Sequence, residues 1–310
     1  MALSMSKPGA LVTGSQRRTD TKMAPYLAFE DSRSKRIETA DGTTLFLRYW
    51  LPPAGRETKG TALLVHGLGE HSGRYGHVAH GLNQLGLEVW AHDHRGFGQS
   101  GGDRAKIADS NTLIEDTKAV FDLLHEHAGA KPPILLGHSM GGAIAARAVT
   151  GGWITPRALV LSSPGLKSYL NPPMRFAVRC LERILPNLVI PHGLPLDKIS
   201  HDLEVITQSQ GDPLNHALIS PRITMFIVTA GEAAIRDAGK LTVPVLVQAA
   251  GDDKLVDPDG SREFAAAVPA GLCTLKIYDG LWHEIYNERE PDRSVVLGDL
   301  ADWVSNVVLD

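Results

Sequence analysis

The sequence predicts an α/β protein: a mostly parallel central sheet flanked by helices, interrupted by a helical insertion. Three observations carry this reading. Short apolar runs recur at 61–65, 87–91, 134–136 and 158–161, as expected of strands buried on both faces. Between them lie segments with apolar residues spaced three and four apart, so the order βαβαβαβ emerges, that of a parallel sheet covered on both sides. A proline-bearing stretch over 164–241 then breaks this rhythm before it resumes.

The bulk numbers agree with that class. A length of 310 residues suits one large domain with an insertion, or two small ones. With 43% hydrophobic and 21% charged residues, the chain can build an ordinary globular core. A formal net charge of −4 argues against a general nucleic-acid-binding surface, and no nucleic-acid partner is expected. No run of 18 apolar residues is present, so no membrane-spanning helix is expected. Cys180 and Cys273 make neither a metal-ligand spacing nor a disulfide framework; a reducing, cytoplasmic setting follows. Residues 1–26 are polar and carry Arg17-Arg18 without the long apolar segment of a secretory signal. They read as a flexible leader, with Met23 as an alternative start.

Taken in order, 34–39 and 43–51 predict two strands about the turn Asp41-Gly42. Pro52-Pro53-Ala54-Gly55 ends the second. The buried run 61–65 stops at His66-Gly67. A helix is expected over 74–85, with Val78, Leu82 and Leu85 on one side, then the strand 87–91 and a glycine-bearing loop from Asp93 to Ser100. Residues 111–127 form an amphipathic pattern through Leu113, Ala119, Val120, Leu123 and Leu124. The run 134–136 leads to a helix of small residues, and 158–161 is another strand. Within the insertion, Pro172-Pro173, Pro186, Pro191, Pro195, Pro213 and Pro221 divide helical pieces such as 175–185 and 222–235. A structureless loop of that length is rare, so a helical cap is expected. The core resumes with a strand at 243–249, a helix at 261–267, a strand at 273–278 and a helix at 295–308. The expected organisation is therefore leader 1–26, core 27–163, cap 164–241 and core 242–310.

The chemistry centres on Gly137-His138-Ser139-Met140-Gly141, a G-x-S-x-G between a strand and a helix. That context makes it a nucleophile elbow, with a serine on a tight, strained turn. A serine hydroxyl needs a base, and the base needs an orienting acid, here in the chain order Ser, Asp/Glu, His. His283 follows the strand 273–278 and is the only histidine after His216. For the acid, Asp252, Asp253 and Asp257 compete just past the strand 243–249; Asp257 precedes a proline and a helix and suits capping. Oxyanion donors are expected from the backbone N–H of Met140 and from Leu68 in the loop His66-Gly67-Leu68-Gly69. His138 is expected to pack, and Asp93 and Arg95 to tie loops together. Glu70 and Arg74 lie beside the oxyanion loop, where they reach a polar substrate head or form a local ion pair. Gly96-Phe97-Gly98 lacks the rest of a dinucleotide pattern, and no acidic cluster has metal-ligand spacing; neither cofactor nor metal is expected.

These motifs resemble a known family. His66-Gly67-Leu68-Gly69-Glu70-His71-Ser72-Gly73-Arg74-Tyr75 is similar to the oxyanion-loop motif of monoacylglycerol lipases. Asp93-His94-Arg95-Gly96-Phe97-Gly98-Gln99-Ser100 and Gly137-His138-Ser139-Met140-Gly141-Gly142 also match that family of α/β-hydrolases, often labelled lysophospholipase or serine aminopeptidase-like. The resemblance implies the α/β-hydrolase fold with a helical cap that selects the acyl chain. The family's acid sits in a G-x-x-D-x-x-V/C segment, which Asp253-Lys254-Leu255-Val256 matches with the glycine displaced to Gly251; this favours Asp253. It implies that Ser139 attacks an ester carbonyl, His283 shuttles the proton and Asp253 orients His283. Glu70 and Arg74 fall where the family builds the region around its glycerol pocket. Tyr286 stands where some animal members carry a second histidine in the alcohol pocket, and is the third expected substrate-binding residue. The implied activity is hydrolysis of a small lipid ester, a monoacylglycerol, with the acyl chain in an apolar tunnel under a helical cap that touches lipid surfaces transiently, in a protein that is cytoplasmic or peripheral to a membrane. The alternatives are a lysophospholipase or short-chain carboxylesterase, and a non-catalytic binding protein on the same fold.

Overall fold

The computed structural model describes residues 32–129 and 131–309; the expected leader over 1–26, with Met23, lies outside them. β1 (Arg33–Glu38) and β2 (Thr44–Trp50) form an antiparallel hairpin. β3 (Gly60–Val65) follows, then helix α1 (Gly76–Gln84), β4 (Leu87–His92), α2 (Thr112–Ala128), β5 (Ile134–His138), α3 (Met140–Thr150) and β6 (Leu159–Ser162). After the insertion come β9 (Val245–Ala250), α7 (Asp259–Ala267), β10 (Cys273–Tyr278) and α8 (Asp292–Trp303). The described strands build a sheet in the order β1-β2-β4-β3-β5-β6-β9-β10, parallel from β4 to β10.

The apolar runs are buried because the sheet has a core on each face. Successive side chains of a strand alternate sides. Leu63, Val65 and Leu135 therefore pack with Val120 of α2, Ile144 of α3 and Phe264 of α7. Ala62, Leu64, Ile134 and Leu136 face Val78 of α1 and Val296, Leu300 and Trp303 of α8. The expected helix over 74–85 begins with a 3₁₀ turn, Ser72–Tyr75, before α1.

The insertion holds α4 (Pro172–Ile184), β7 (Ile190–Pro191), α5 (Leu203–Gly211), β8 (Leu218–Ile219) and α6 (Pro221–Asp237). β7 and β8 pair antiparallel, a two-residue ribbon that the proline at 191 hides from sequence patterning. Two helices begin with a side-chain cap followed by proline. Asn171 accepts from Met174 N–H before Pro172, and Ser220 from Ile223 N–H before Pro221, an arrangement that starts a helix without an orphan donor. The helices differ in what they cover. α4 buries no residue and exposes Met174, Phe176 and Ile184. α6 falls inside the segment read as the cap, yet Ile223, Phe226, Ala230 and Ala234 join the main core, where α6 lies against α3.

Candidate active site

Four loops meet at the carboxyl ends of parallel strands, the usual location of sites in such sheets. They follow β3, β5, β9 and β10. Ser139 caps the turn between β5 and α3 with φ 53° and ψ −119°, a conformation that costs a non-glycine residue about 1–3 kcal/mol. The surroundings hold it there. Ser139 N–H donates to Ser162 O at 3.0 Å, and Ser139 O accepts from Gly165 N–H at 2.8 Å. The flanking glycines are needed for contact: a Cβ on Gly141 would stand 2.1 Å from Val65 O, and one on Gly137 2.3 Å from Gly141 O.

A hydrogen-bonded chain runs inward from Ser139. Its Oγ lies 2.8 Å from His283 Nε2, and His283 Nδ1 lies 2.7 Å from Asp253 Oδ2. The other oxygen, Asp253 Oδ1, accepts from Leu255 N–H at 2.8 Å and Val256 N–H at 3.0 Å. Burial by itself would raise the Asp253 carboxyl, but the His283 charge and these donors outweigh it and hold the carboxyl below its usual range. Burial would likewise depress His283; the adjacent Asp253 carboxylate overrides it and lifts the imidazole above its ordinary value. Such an arrangement can take a proton from the serine hydroxyl and stabilise the resulting imidazolium.

Of the rival aspartates, Asp252 is exposed and pairs with Lys254. Asp257 Oδ1 accepts from Asp259 N–H, one residue ahead of the N-cap Pro258, so it braces the turn before α7 rather than capping the helix. His138 is buried between Tyr75 and His283. Burial, then the nearby His283, lowers it to about 3, so it is a neutral ring at any working pH. Asp93 and Arg95 tie loops: Asp93 accepts from Ser72 N–H and Gln99 N–H, and Arg95 bridges Asp41 and Asp116.

Beneath the loop after β3 lies a buried ionic network. Arg74 forms a two-pronged pair with Glu284, both contacts 2.7 Å, and reaches Glu70 at 2.8 Å. Glu70 Oε1 also accepts from Gly67 N–H at 2.6 Å and Tyr75 Oη at 2.5 Å. Burial opposes ionisation of both carboxyls. The Arg74 fork prevails at Glu284 and holds it low, whereas Glu70, facing the Glu284 charge, is raised. Leu68 N–H and Met140 N–H, the expected oxyanion donors, make no hydrogen bond to another described residue.

Two cavities open from Ser139. One, of about 280 Å³, is mixed: Glu70, Arg74, Asp212 and Glu284 line it together with Leu196 and Ile199. The other, of about 350 Å³, is apolar and includes Met140, Leu170, Met174, Ile219, Val228 and Val256. The insertion roofs both. Its segment 212–216 is fastened to the loop after β3 by Asp212 Oδ2 with His71 Nε2 at 2.9 Å, and by His216 N–H to Gly69 O at 2.9 Å.

Comparison with known proteins agrees with this geometry. The model of the family described as serine aminopeptidase, S33, matches residues 56–290. The chain belongs to the serine aminopeptidase S33 family. Its sequence is 33% identical to the monoacylglycerol lipase of Mycolicibacterium smegmatis over 268 residues, covering 85% of this chain and 93% of that one. It is 33% identical to the human monoglyceride lipase over 278 residues, covering 87% and 89%. The crystal structure of Paleococcus ferrophilus monoacylglycerol lipase superposes with a TM-score of 0.75 at 31% identity, covering 84% of this chain and 98% of that one.

Within this S33 protein, one expected site residue is misplaced. Tyr286 does not line either cavity: it is buried in the core shared with α8, and its Oη donates to Gln248 Oε1 at 2.8 Å. Glu284 (φ −86°, ψ 67°) is not helical, so a spacing of three does not return the side chain at 286 to the face of His283. Sequence reading also passed over Glu284, Tyr75 and Tyr169, whose hydroxyl donates to Asp253 O at 2.8 Å. Glu284 had a signal: it is a charged residue directly beside His283 that needs a partner once buried. Nothing local marked Tyr169. Among the described residues no group of His, Cys, Asp and Glu has a metal-holding arrangement, and no helix is long and apolar enough to cross a membrane.

Proposed function

We propose that this chain hydrolyses monoacylglycerols to fatty acid and glycerol through an acyl-enzyme on Ser139. The observation that carries the reading is that the Ser139–His283–Asp253 chain sits where a strongly apolar cavity meets one whose wall carries charged and amide side chains. An ester with one long acyl chain and a small polyhydroxylic alcohol has that polarity split across its carbonyl. The acyl chain lies in the more apolar cavity and the glycerol in the mixed one, on the side of Glu70 and Arg74.

In this reading the reaction uses these residues in turn. Ser139 Oγ attacks the ester carbonyl carbon as its proton passes to His283 Nε2. Leu68 N–H and Met140 N–H donate to the oxyanion, an interaction worth several kcal/mol. His283 then gives its proton to the departing glycerol oxygen as the C–O bond breaks. A water molecule, deprotonated by His283, attacks the acyl-enzyme, and the proton returns to Ser139 as the fatty acid leaves. Asp253 keeps the His283 proton on Nδ1 and balances the imidazolium charge.

The cap in this reading spans 164–220, since α6 is core. Its exposed Met174, Phe176 and Ile184 supply the apolar contact for a lipid surface on which substrate resides, and the protein works in the cytoplasm at that surface. Incubation with a fluorophosphonate probe and with a 1-monoacylglycerol tests the central claim. Wild type is labelled at Ser139 and releases fatty acid; Ser139→Ala does neither. Full hydrolysis by Ser139→Ala overturns it.

A further inference from the structure

Five residues line both cavities: Leu68, Ser139, His192, Leu194 and Leu255. Only Ser139 and His192 among them are polar. His192 comes from the insertion, just past β7, and its backbone N–H donates to Ala217 O at 2.9 Å, so the β7–β8 ribbon fixes its position. The ring has one defined tautomer. Its Nδ1 accepts from Leu194 N–H at 3.0 Å, as only an unprotonated ring nitrogen can, and burial, with His216 nearby, lowers the ring below its ordinary value. With Nδ1 an acceptor, the proton is on Nε2. That nitrogen stands against the loop after β3, 3.7 Å from where a Cβ on Gly69 would be. No described residue takes up its N–H.

From this juxtaposition we propose that His192 reads the alcohol half of the substrate, its Nε2–H donating to a free hydroxyl next to the ester oxygen. The proposal rests on the monoacylglycerol reading. With the carbonyl oxygen between Leu68 N–H and Met140 N–H, the acyl chain leaves toward the apolar cavity. The alcohol must pass the junction on the side of Gly69 and His192. A glycerol ester offers a hydroxyl acceptor there; a methyl ester of the same acid offers none.

The test is the ratio of kcat/KM for 1-lauroylglycerol to that for methyl laurate, measured on fluorophosphonate-titrated enzyme. Variants are His192→Phe, which keeps the ring and loses the donor, and His192→Asn and His192→Gln, which keep an N–H. Turnover of methyl laurate reports folded enzyme in each case. The wild type favours the glycerol ester, and His192→Phe lowers the ratio roughly three- to tenfold, the effect of one neutral hydrogen bond. His192→Asn and His192→Gln retain more of the preference than His192→Phe. A ratio in His192→Phe within twofold of wild type, or an equal fall in all three variants, overturns the role of the donor while leaving the monoacylglycerol reading standing. A wild type with no preference for the glycerol ester overturns both.

Discussion

Replacing Arg74 with Met removes one cation and strands two buried carboxylates. Arg74, Glu70 and Glu284 have side chains 2%, 7% and 8% exposed, so water cannot take over the pairing. Breaking a buried ion pair by deleting one partner costs about 3–5 kcal/mol, which for a domain of this size lowers Tm by roughly 5–8 °C. The loss depends on pH in a defined sense. Without the guanidinium, burial pushes the folded-state pKa of Glu70 and Glu284 above their unfolded value. Such groups leave stability intact below the unfolded carboxyl pKa and withdraw it as pH rises through the folded value. The deficit of Arg74→Met relative to wild type is therefore small near pH 4.5 and full at pH 8. Thermal melts followed by circular dichroism across that range measure it. The triple variant Arg74→Met, Glu70→Gln, Glu284→Gln removes every charge of the network and recovers most of the loss at pH 8. A deficit under 2 °C at pH 8, or one equal at pH 5 and pH 8, refutes the assignment of these groups as a mutually dependent buried network.

Asp253→Asn lowers kcat by roughly 10³–10⁴-fold by favouring the wrong imidazole tautomer, whereas Asp252→Asn stays within about twofold of wild type; a reversed order identifies the other aspartate as the orienting acid. Because the Asp253 carboxylate raises His283 above its ordinary value, the acidic limb of kcat/KM has its midpoint above pH 6.5, and Asp253→Asn moves it downward; a pH–rate profile decides. Gly141→Ala places a Cβ 2.1 Å from Val65 O and leaves no soluble folded enzyme, read by expression and fluorophosphonate labelling; a labelled, thermostable product contradicts the close approach. Tyr286→Phe loses one buried hydrogen bond, about 1 kcal/mol, and leaves the ratio of glycerol-ester to methyl-ester turnover unchanged; a shift in that ratio returns Tyr286 to the substrate pocket.

The parts of this site that were legible in the sequence are those set by short-range geometry. The elbow needs Gly137, Ser139 and Gly141 within a single turn, and strand, turn and helix are contiguous there. His283 and the three candidate aspartates declared themselves by following late strands. Choosing among Asp252, Asp253 and Asp257 was harder, because neighbouring carboxylates differ only in which way the turn after β9 points them. The structure resolves it through Leu255 N–H and Val256 N–H, which hold Asp253 Oδ1 and turn Oδ2 to His283. The packing of α6 was not legible. α6 follows prolines and lies amid helical pieces; its apolar face shows its destination only once α3 is beside it.

The pair between Arg74 and Glu284 was the least legible feature, because its partners are 210 positions apart. Its placement argues for a role that apolar packing would not fill. Glu284 adjoins His283, while Glu70 accepts the N–H of Gly67, which adjoins Leu68. The Arg74 fork thus spans the loop carrying His283 and the loop carrying Leu68. An apolar contact at that junction would bring the loops together without fixing their relative orientation, since hydrophobic association is non-directional. A bidentate guanidinium–carboxylate pair sets both distance and angle. The desolvation it demands is offset within the network, where Tyr75 and Asn287 donate to the two carboxylates. The same three charges that make the protein sensitive to loss of Arg74 therefore hold the two loops in one register beside Ser139.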